Sequence, residues 1–276
     1  MEYIIPDSVE DIYDKLGRRK AYYLAGGTDI MVMRKNGEII KDRPWVDISG
    51  LSELNGITLE KDALLIGSLC LIDKLSDDKR VLKNAKAVYD AAILMGSPLI
   101  RNLATIGGNF ANSNPAADII PAVNALNGSM ILQRGTRIRE VSADDFCFCP
   151  GENLLEEAEI ITHIKIPVIE DSNSGFMKIG PRKALAISKV SLAVWWKKTA
   201  STIEDIRIAA GAVGPKCLRA PTAENFLKGS KLTHEIMDEA CGMLELDMSP
   251  IDDFRSTQDY RMKMTGVLLK KILSGR

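Results

Sequence analysis

The sequence predicts an α+β fold, because segments with helical and with strand periodicity are interspersed along the whole chain. The clearest helix is predicted over Val81 to Met95, where apolar residues recur at helical spacing. The clearest strand is predicted over Glu159 to Pro167, where apolar and polar residues alternate. Glycine, proline and asparagine separate most of the other segments, which are short.

The first part of the chain is predicted to contain several further short elements. Ser8 is expected to cap a helix over Val9 to Leu16, and Gly96-Ser97-Pro98 is expected to end the helix over Val81 to Met95. The other predicted elements are strands over Ala21 to Ala25, Arg43 to Ile48 and Gly56 to Gly67, helices over Ile30 to Lys35 and Ala116 to Ala125, and a hairpin of Ser129 to Gln133 with Thr136 to Val141.

A polar, turn-rich segment, Val168 to Gly175, is the predicted boundary between two domains, 1–170 and 171–276. The second domain is again predicted to mix strands and helices. Its elements are strands over Phe176 to Gly180, Val190 to Lys197 and Ile203 to Val213, and helices over Thr222 to Leu227, His234 to Leu244 and Asp259 to Leu273.

Composition is that of a globular protein: 276 residues, 46% hydrophobic and 26% charged. The 36 basic and 37 acidic residues give a net charge of -1, so there is no electrostatic case for binding nucleic acid or an anionic membrane. The first residues lack the basic start and apolar run of a signal peptide, and no apolar stretch approaches ~18 residues. We therefore expect a cytoplasmic protein.

The five cysteines are interpreted as free thiols rather than as metal ligands. Only Cys147 and Cys149 are close in sequence, and His163 and His234 are isolated. A structural zinc site or an iron–sulfur cluster normally needs four ligands at legible spacing. The role of the Cys147/Cys149 pair stays open.

A first glycine segment, Ala25-Gly26-Gly27-Thr28-Asp29, lies between a predicted strand and a predicted helix. Glycines let backbone N–H groups approach a ligand and, at positive φ, form a nest for an anion. The following helix N-terminus adds partial positive charge. A glycine pair in this position is also common in a plain tight turn.

A second glycine segment, Thr105 to Asn109, is predicted to be a similar turn. Asn112, Ser113, Asn114 and Asp118 follow it, so small polar groups are concentrated here. They suit a long ligand with phosphates and hydroxyls, but they equally suit a loop that caps the helix at Ala116. Neither segment is a G-x-G-x-x-G or G-x-x-x-x-G-K-[ST] fingerprint.

In combination, AGGTDIMV and ATIGGNFANSNPAADIIPA resemble the FAD-binding segment of molybdenum hydroxylases, the family of xanthine, carbon monoxide and nicotinate dehydrogenases. EIITHIKIP, GFMKIGPRKALAISKV, AAGAVGPKCLRAPTAENFLKG and FRSTQDYRMKMTGVLLKKIL resemble its later parts, so the likeness covers nearly the whole chain. It implies an FAD-binding domain of the vanillyl-alcohol-oxidase-like (PCMH) type, with subdomains of about 1–55 and 56–170, and a smaller α+β C-terminal domain.

The resemblance also implies a set of FAD-binding residues. Leu24, Ala25, Gly26, Gly27, Thr28, Asp29 and Ile30 would form the first pyrophosphate loop, and Thr105, Ile106, Gly107, Gly108 and Asn109 the second, with the N–H groups of Gly107 and Gly108 on phosphate. Ser113 and Asp118 would bind ribityl or ribose hydroxyls, Ile161 would lie against the flavin, and Lys178 would be a charge partner of the ring or the phosphates.

No residue pattern indicates a general base or nucleophile, which fits an electron-transfer subunit. The resemblance implies a large molybdopterin-binding subunit and a small subunit with [2Fe-2S] clusters, which pass electrons through FAD to NAD or another acceptor. Two alternatives stay open: a free-standing FAD oxidase or dehydrogenase, and an assembly module without flavin. Arg182 to Ile187 lacks the acidic or aromatic residue that relatives often carry near the flavin, which leaves the acceptor open.

Overall fold

The computed structural model describes residues 2–39, 42–182 and 185–275. It contains a three-stranded parallel sheet, a five-stranded antiparallel sheet and a four-stranded antiparallel sheet, with helices packed around them. The α+β class is therefore confirmed. Within these ranges no helix combines the length and apolar composition that a membrane span requires.

The parallel sheet lies at the N-terminus and has the strand order β1-β3-β2. Helix α1 matches its predicted bounds, and the Ser8 side chain caps it by accepting from the N–H of Asp11. The elements of this part are β1 (Tyr3–Ile4), α1 (Val9–Leu16), β2 (Tyr22–Leu24), α2 (Ile30–Lys35) and β3 (Trp45–Asp47), followed by a 3-10 turn at Ser52–Leu54.

The five-stranded sheet has the order β4-β5-β10-β6-β7, so the strand nearest the end of this part lies at its centre. Its helices and the sheet enclose one apolar core. The elements are β4 (Ile57–Leu59), β5 (Ala63–Gly67), α3 (Ile72–Leu75), α4 (Lys79–Asn84), α5 (Lys86–Leu94), α6 (Pro98–Arg101), α7 (Ile106–Asn112), α8 (Ile119–Ala125), β6 (Ser129–Arg134), β7 (Arg137–Ser142), α9 (Ala143–Phe146), β8 (Cys147–Cys149), β9 (Glu152–Asn153) and β10 (Ile160–Pro167).

The four-stranded sheet packs helices of the C-terminal part around a second apolar core. Strand β11 begins inside the segment predicted as a linker, because its first residues pair with the end of β12. The elements are β11 (Ser172–Ile179), β12 (Val190–Thr199), β13 (Thr202–Gly211), β14 (Leu218–Arg219), α10 (Pro221–Leu227), α11 (His234–Leu246) and α12 (Gln258–Ser274).

The single helix predicted over Val81 to Met95 is wrong, because the structure breaks it at Ala85, whose φ is -143°. The second half starts as a new helix, and the hydroxyl of Ser174 accepts from its Ala87 N–H at 3.0 Å. This cap comes from a strand 87 residues away, so no local pattern reveals it.

Several other boundaries also differ from the prediction. The strand over Gly56 to Gly67 is two strands, because the chain turns at Glu60, whose N–H donates to Ala63 O. The predicted helix end before Gly96 is confirmed, because α5 stops at Leu94, and Pro98 then starts a further short helix. The helix predicted from Ala116 starts at Ile119, because Asn114 turns the preceding chain by accepting from the Ala116 N–H.

Cys147 and Cys149 lie at the two ends of β8, with Cys147 buried and Cys149 exposed. Neighbouring odd positions of a strand normally share a face, but the register shifts between them. All five cysteines are free thiols in the structure. The geometry therefore gives this C-x-C pair no bridging role.

Candidate functional site

The first glycine segment connects β2 to α2, which confirms the predicted strand, turn and helix. Gly27 has φ +70°, a conformation that side chains disfavour. A Cβ on Gly26 would overlap the carbonyl oxygen of Leu103, so this residue packs directly on backbone. Glycine is thus required at position 27 by the positive φ and at position 26 by the close approach to the Leu103 backbone.

The N–H groups of the first segment are available to a ligand. Among the hydrogen bonds between described residues, none is donated by the backbone nitrogens of residues 26–29. The helix that follows is held by bonds to the carbonyls of Gly27 and Asp29. A row of unengaged N–H groups at a helix start is suited to an anion.

The second glycine segment is the first turn of α7 rather than a loop, so the predicted turn is corrected here. Thr105 is the N-cap, and its Oγ1 accepts from the Gly108 N–H at 3.1 Å. The Gly107 N–H donates to Ser68 O at 2.8 Å, and a Cβ on Gly107 would lie 2.6 Å from Ser68 Cβ. These bonds disagree with the expectation that the N–H groups of Gly107 and Gly108 point at phosphate.

The two segments face one cleft. Its wider part, the outer cleft, has a volume of about 520 Å³ and is lined in part by residues 25–30, Met95, Thr105, Gly108 and Asn109. A narrower, mostly apolar part, the inner slot, has a volume of about 90 Å³ and is lined in part by Ile48, Ser68, Leu69, Gly107, Ile160 and Ile161. Tyr23, Ala25, Thr105, Gly108, Ala111 and Leu155 line both parts.

Three buried polar atoms of the cleft wall lack a partner among the described residues: Tyr23 OH, Ser68 Oγ and Asn109 Oδ1. Buried polar atoms are nearly always hydrogen-bonded, so such a cluster points to a polar ligand. A cleft with unengaged N–H groups in its outer part and a small, mostly apolar inner part suits FAD, which joins a pyrophosphate to flat rings. The residues present therefore fit this cofactor.

Two carboxylates of described residues line the cleft, Asp29 in the outer cleft and Glu159 in the inner slot. Glu159, in the wall of the inner slot, is fully engaged: Arg139 donates to both its carboxylate oxygens at 2.8 and 2.6 Å. The residues that line the two parts, within the described ranges, include no lysine or arginine. A pyrophosphate bound here would depend on N–H and hydroxyl donors.

Five of the predicted residues do not line the cleft as the described part of the chain forms it: Leu24, Ile106, Ser113, Asp118 and Lys178. The Leu24 carbonyl accepts from the Ile48 N–H, and Ile106 is fully buried in the core. Ser113 is buried, and its hydroxyl donates to Phe110 O at 2.9 Å. All three support the walls of the site.

Asp118 and Lys178 form a separate buried cluster. The Lys178 Nζ lies 2.5 Å from Asp118 Oδ2 and donates to Ala186 O at 3.1 Å. The Ser188 hydroxyl donates to Asp118 Oδ1 at 2.6 Å. Burial raises the pKa of Asp118, against the opposing effect of Lys178 and Ser188.

Sequence reasoning missed Tyr23 and Ser68. Tyr23 is one of two aromatic residues of a strand, and Ser68 follows a strand end, so neither carries a local pattern that marks it. Their shared signal is an unsatisfied buried hydroxyl, which only the packed structure reveals.

Family models match almost the whole chain. Residues 1–169 match the FAD binding domain in molybdopterin dehydrogenase, and residues 176–275 match the CO dehydrogenase flavoprotein C-terminal domain. The first match covers more than half of the chain.

Individual relatives match over nearly their full length. The glyceraldehyde dehydrogenase medium chain of Sulfolobus acidocaldarius is 29% identical over 98% of this chain and 95% of its own. The nicotinate dehydrogenase FAD-subunit of Eubacterium barkeri is 30% identical over 98% and 94%. A carbon monoxide dehydrogenase structure from Hydrogenophaga pseudoflava, 30% identical, superposes with a TM-score of 0.94 over 99% of this chain and 96% of that one.

The two glycine segments, the cleft that they share and these matches lead to one conclusion: the chain belongs to the family of FAD-binding medium chains of molybdenum hydroxylases, and its enzymatic class is oxidoreductase.

Proposed function

We propose that this chain is the FAD-carrying electron-transfer subunit of a molybdopterin-dependent hydroxylase or dehydrogenase. It would receive electrons from the [2Fe-2S] clusters of a small partner subunit and deliver them to NAD or another acceptor. A large partner subunit would hold the molybdopterin and hydroxylate the substrate. The observation that carries this proposal is the cleft between the two glycine segments, with its unengaged N–H groups and unpaired polar atoms.

FAD, when bound, supplies the exchange of one or two electrons. The chain itself supplies position and donors. We propose that residues 25–30 meet the pyrophosphate, that Thr105 and Asn109 border it, and that Ile161 contacts a ring of FAD in the inner slot. Gly107 and Gly108 would serve by leaving space rather than by donating their N–H groups.

Asp118 and Lys178 would act indirectly. Asp118 is the N-cap residue of α8, before the proposed boundary at 170/171, and Lys178 lies on β11, after it. Their ion pair therefore ties the two proposed domains together. The separate matches to 1–169 and 176–275 support this division. The proposed location is the cytoplasm.

Purification of the tagged chain from its natural host tests the proposal. The expected preparation contains a large and a small additional subunit, FAD, molybdenum and iron, measured by mass spectrometry and elemental analysis. Because the N-terminal match is to a domain of molybdopterin dehydrogenases, substrate oxidation should require the large subunit.

Two outcomes would favour the alternatives. A chain that is isolated alone with FAD and oxidises a substrate unaided would be a free-standing oxidase. A chain that co-purifies with subunits but contains no flavin would be an assembly module.

A further inference from the structure

Two hydroxyl groups in the cleft wall make no hydrogen bond with the described part of the chain. The Tyr23 OH and the Ser68 Oγ are buried and have no hydrogen-bond partner among the described residues. Ser68 is only 3% exposed. An unpaired buried hydroxyl destabilises a protein, and where it lines a cleft, as these two do, a ligand can provide the partner that the polypeptide does not.

Tyr23 lies where the outer cleft and the inner slot meet, since it lines both. Gly26 and Gly27 share the outer cleft with it, and Gly108 lies with it in both parts. Burial raises the pKa of the Tyr23 phenol, which keeps the group protonated and able to donate. With no lysine or arginine among the described lining residues, a neutral donor at this point matters for an anion.

Ser68 lines only the inner slot. Its carbonyl accepts from the Gly107 N–H at 2.8 Å, which fixes the backbone beneath the side chain. The slot around it is narrow and formed largely by apolar residues such as Ile48, Leu69 and Ile161. A flat ring that enters there can bring one polar edge atom to the hydroxyl.

We propose that both hydroxyls bind FAD: Tyr23 donates to the pyrophosphate between the two glycine segments, and Ser68 hydrogen-bonds an edge atom of the ring in the inner slot. This assignment rests on the proposed function. It adds two residues to the site, and both act on affinity rather than on chemistry.

The test is FAD titration of the full chain, as wild type, Tyr23→Phe and Ser68→Ala, followed by flavin fluorescence. Each variant removes one oxygen, so each should raise the Kd for FAD about five- to tenfold through one lost hydrogen bond. The FAD-free variants should melt at the same temperature as wild type or higher, because an unpaired hydroxyl has gone. If the hydroxyls had a purely structural role, each variant would lower the melting temperature together with the FAD affinity.

Matched controls lie outside the cleft. The Ser191 hydroxyl is also buried and unpartnered among the described residues, but it packs near Gly211. Tyr89 packs against the core of the same part. Ser191→Ala and Tyr89→Phe should therefore leave the Kd for FAD unchanged.

Two fragments of the cofactor locate the contacts. Tyr23→Phe should weaken ADP, which carries the pyrophosphate. Ser68→Ala should weaken the binding of either ADP or FMN. Weaker binding of ADP would place the adenine ring in the inner slot, and weaker binding of FMN would place the flavin ring there. Unchanged FAD affinity in both variants would overturn the assignment while leaving the proposed function intact, whereas a wild-type chain that binds no FAD would overturn both.

Discussion

The Nζ of Lys178 lies 2.5 Å from the carboxylate of Asp118, and the two side chains are only 8% and 7% exposed. Ser188 and the Ala186 carbonyl complete the hydrogen bonds of the pair. A buried ion pair is weak evidence of net stabilisation, but the loss of one partner leaves the other charge uncompensated.

Lys178→Met should therefore lower the free energy of unfolding by roughly 3–5 kcal/mol, measured by urea denaturation. Asp118→Asn in the same background should recover part of this loss, because it removes the isolated charge. The measurement is a double-mutant cycle, with a coupling of about 0.5–3 kcal/mol expected. Simple additivity of the two substitutions would mean that the pair does not act as a unit.

Gly108→Asp should abolish FAD binding while the chain still folds. Gly108 is exposed in the cleft wall, and among the described residues a Cβ there would meet only the Thr105 Oγ1, at 2.9 Å. The aspartate would bring negative charge against the phosphates. Gly108→Ala is the matched control, because it adds the Cβ without the charge and should retain most of the affinity. If the Gly108→Asp variant binds FAD as tightly as wild type, Gly108 does not border the FAD site.

Gly26→Ala should impair both folding and flavin binding, because its Cβ would overlap the Leu103 backbone, which cannot yield as a side-chain tip does. We expect a loss of about 1–3 kcal/mol in the free energy of unfolding, as for other overpacked sites. Gly50→Ala is the control, because no atom of the described part of the chain lies within 4 Å of the added Cβ. Equal stability of the two variants would contradict the close approach at Gly26.

Asp253 should make stability fall in acid. Its carboxylate accepts from Arg255 at 2.7 Å and from Arg261 at 2.7 Å, and the Arg255 hydrogen bond holds its pKa well below 3.8, the usual value. Because the pKa is lower in the folded state, the stabilisation is complete above about pH 4 and is lost as the pH falls through the folded-state value.

Asp253→Asn should therefore flatten the decrease in unfolding free energy below about pH 4, at the cost of about 1–3 kcal/mol at neutral pH. Thermal melts across pH 2 to 7 measure it. Asp14→Asn changes an exposed carboxylate of α1 and should leave the profile as in wild type. If the Asp253 variant loses stability in acid as steeply as wild type, protonation of this carboxylate does not cause the loss.

Local patterns predicted elements that local forces determine. The Ser8 cap, the helix over Ile30 to Lys35 and the hairpin after residue 128 follow from neighbours in sequence, and the structure confirms them. The break at Ala85 was missed because the cap of the following helix is the distant Ser174.

The site shows the same division between local and distant causes. The two glycine segments are visible in the sequence, but the sequence does not reveal that the N–H of Gly107 is taken by Ser68. The pairing of Asp118 with Lys178 joins residues 60 apart, and its geometry depends on the packing of α8 against the C-terminal sheet. Tyr23 and Ser68 are distinguished by buried hydroxyls without a partner among the described residues, and only the packed structure has this property.

We expect this chain to bind FAD in the cleft between the two glycine segments. The most direct test is an absorption spectrum of the purified full chain with added FAD, after removal of free cofactor, with the released nucleotide identified by chromatography. We expect flavin bands and about one FAD per chain for wild type, and neither bands nor bound FAD for Gly108→Asp. A folded wild-type chain that retains no flavin, or a Gly108→Asp chain that retains as much as wild type, would contradict this expectation.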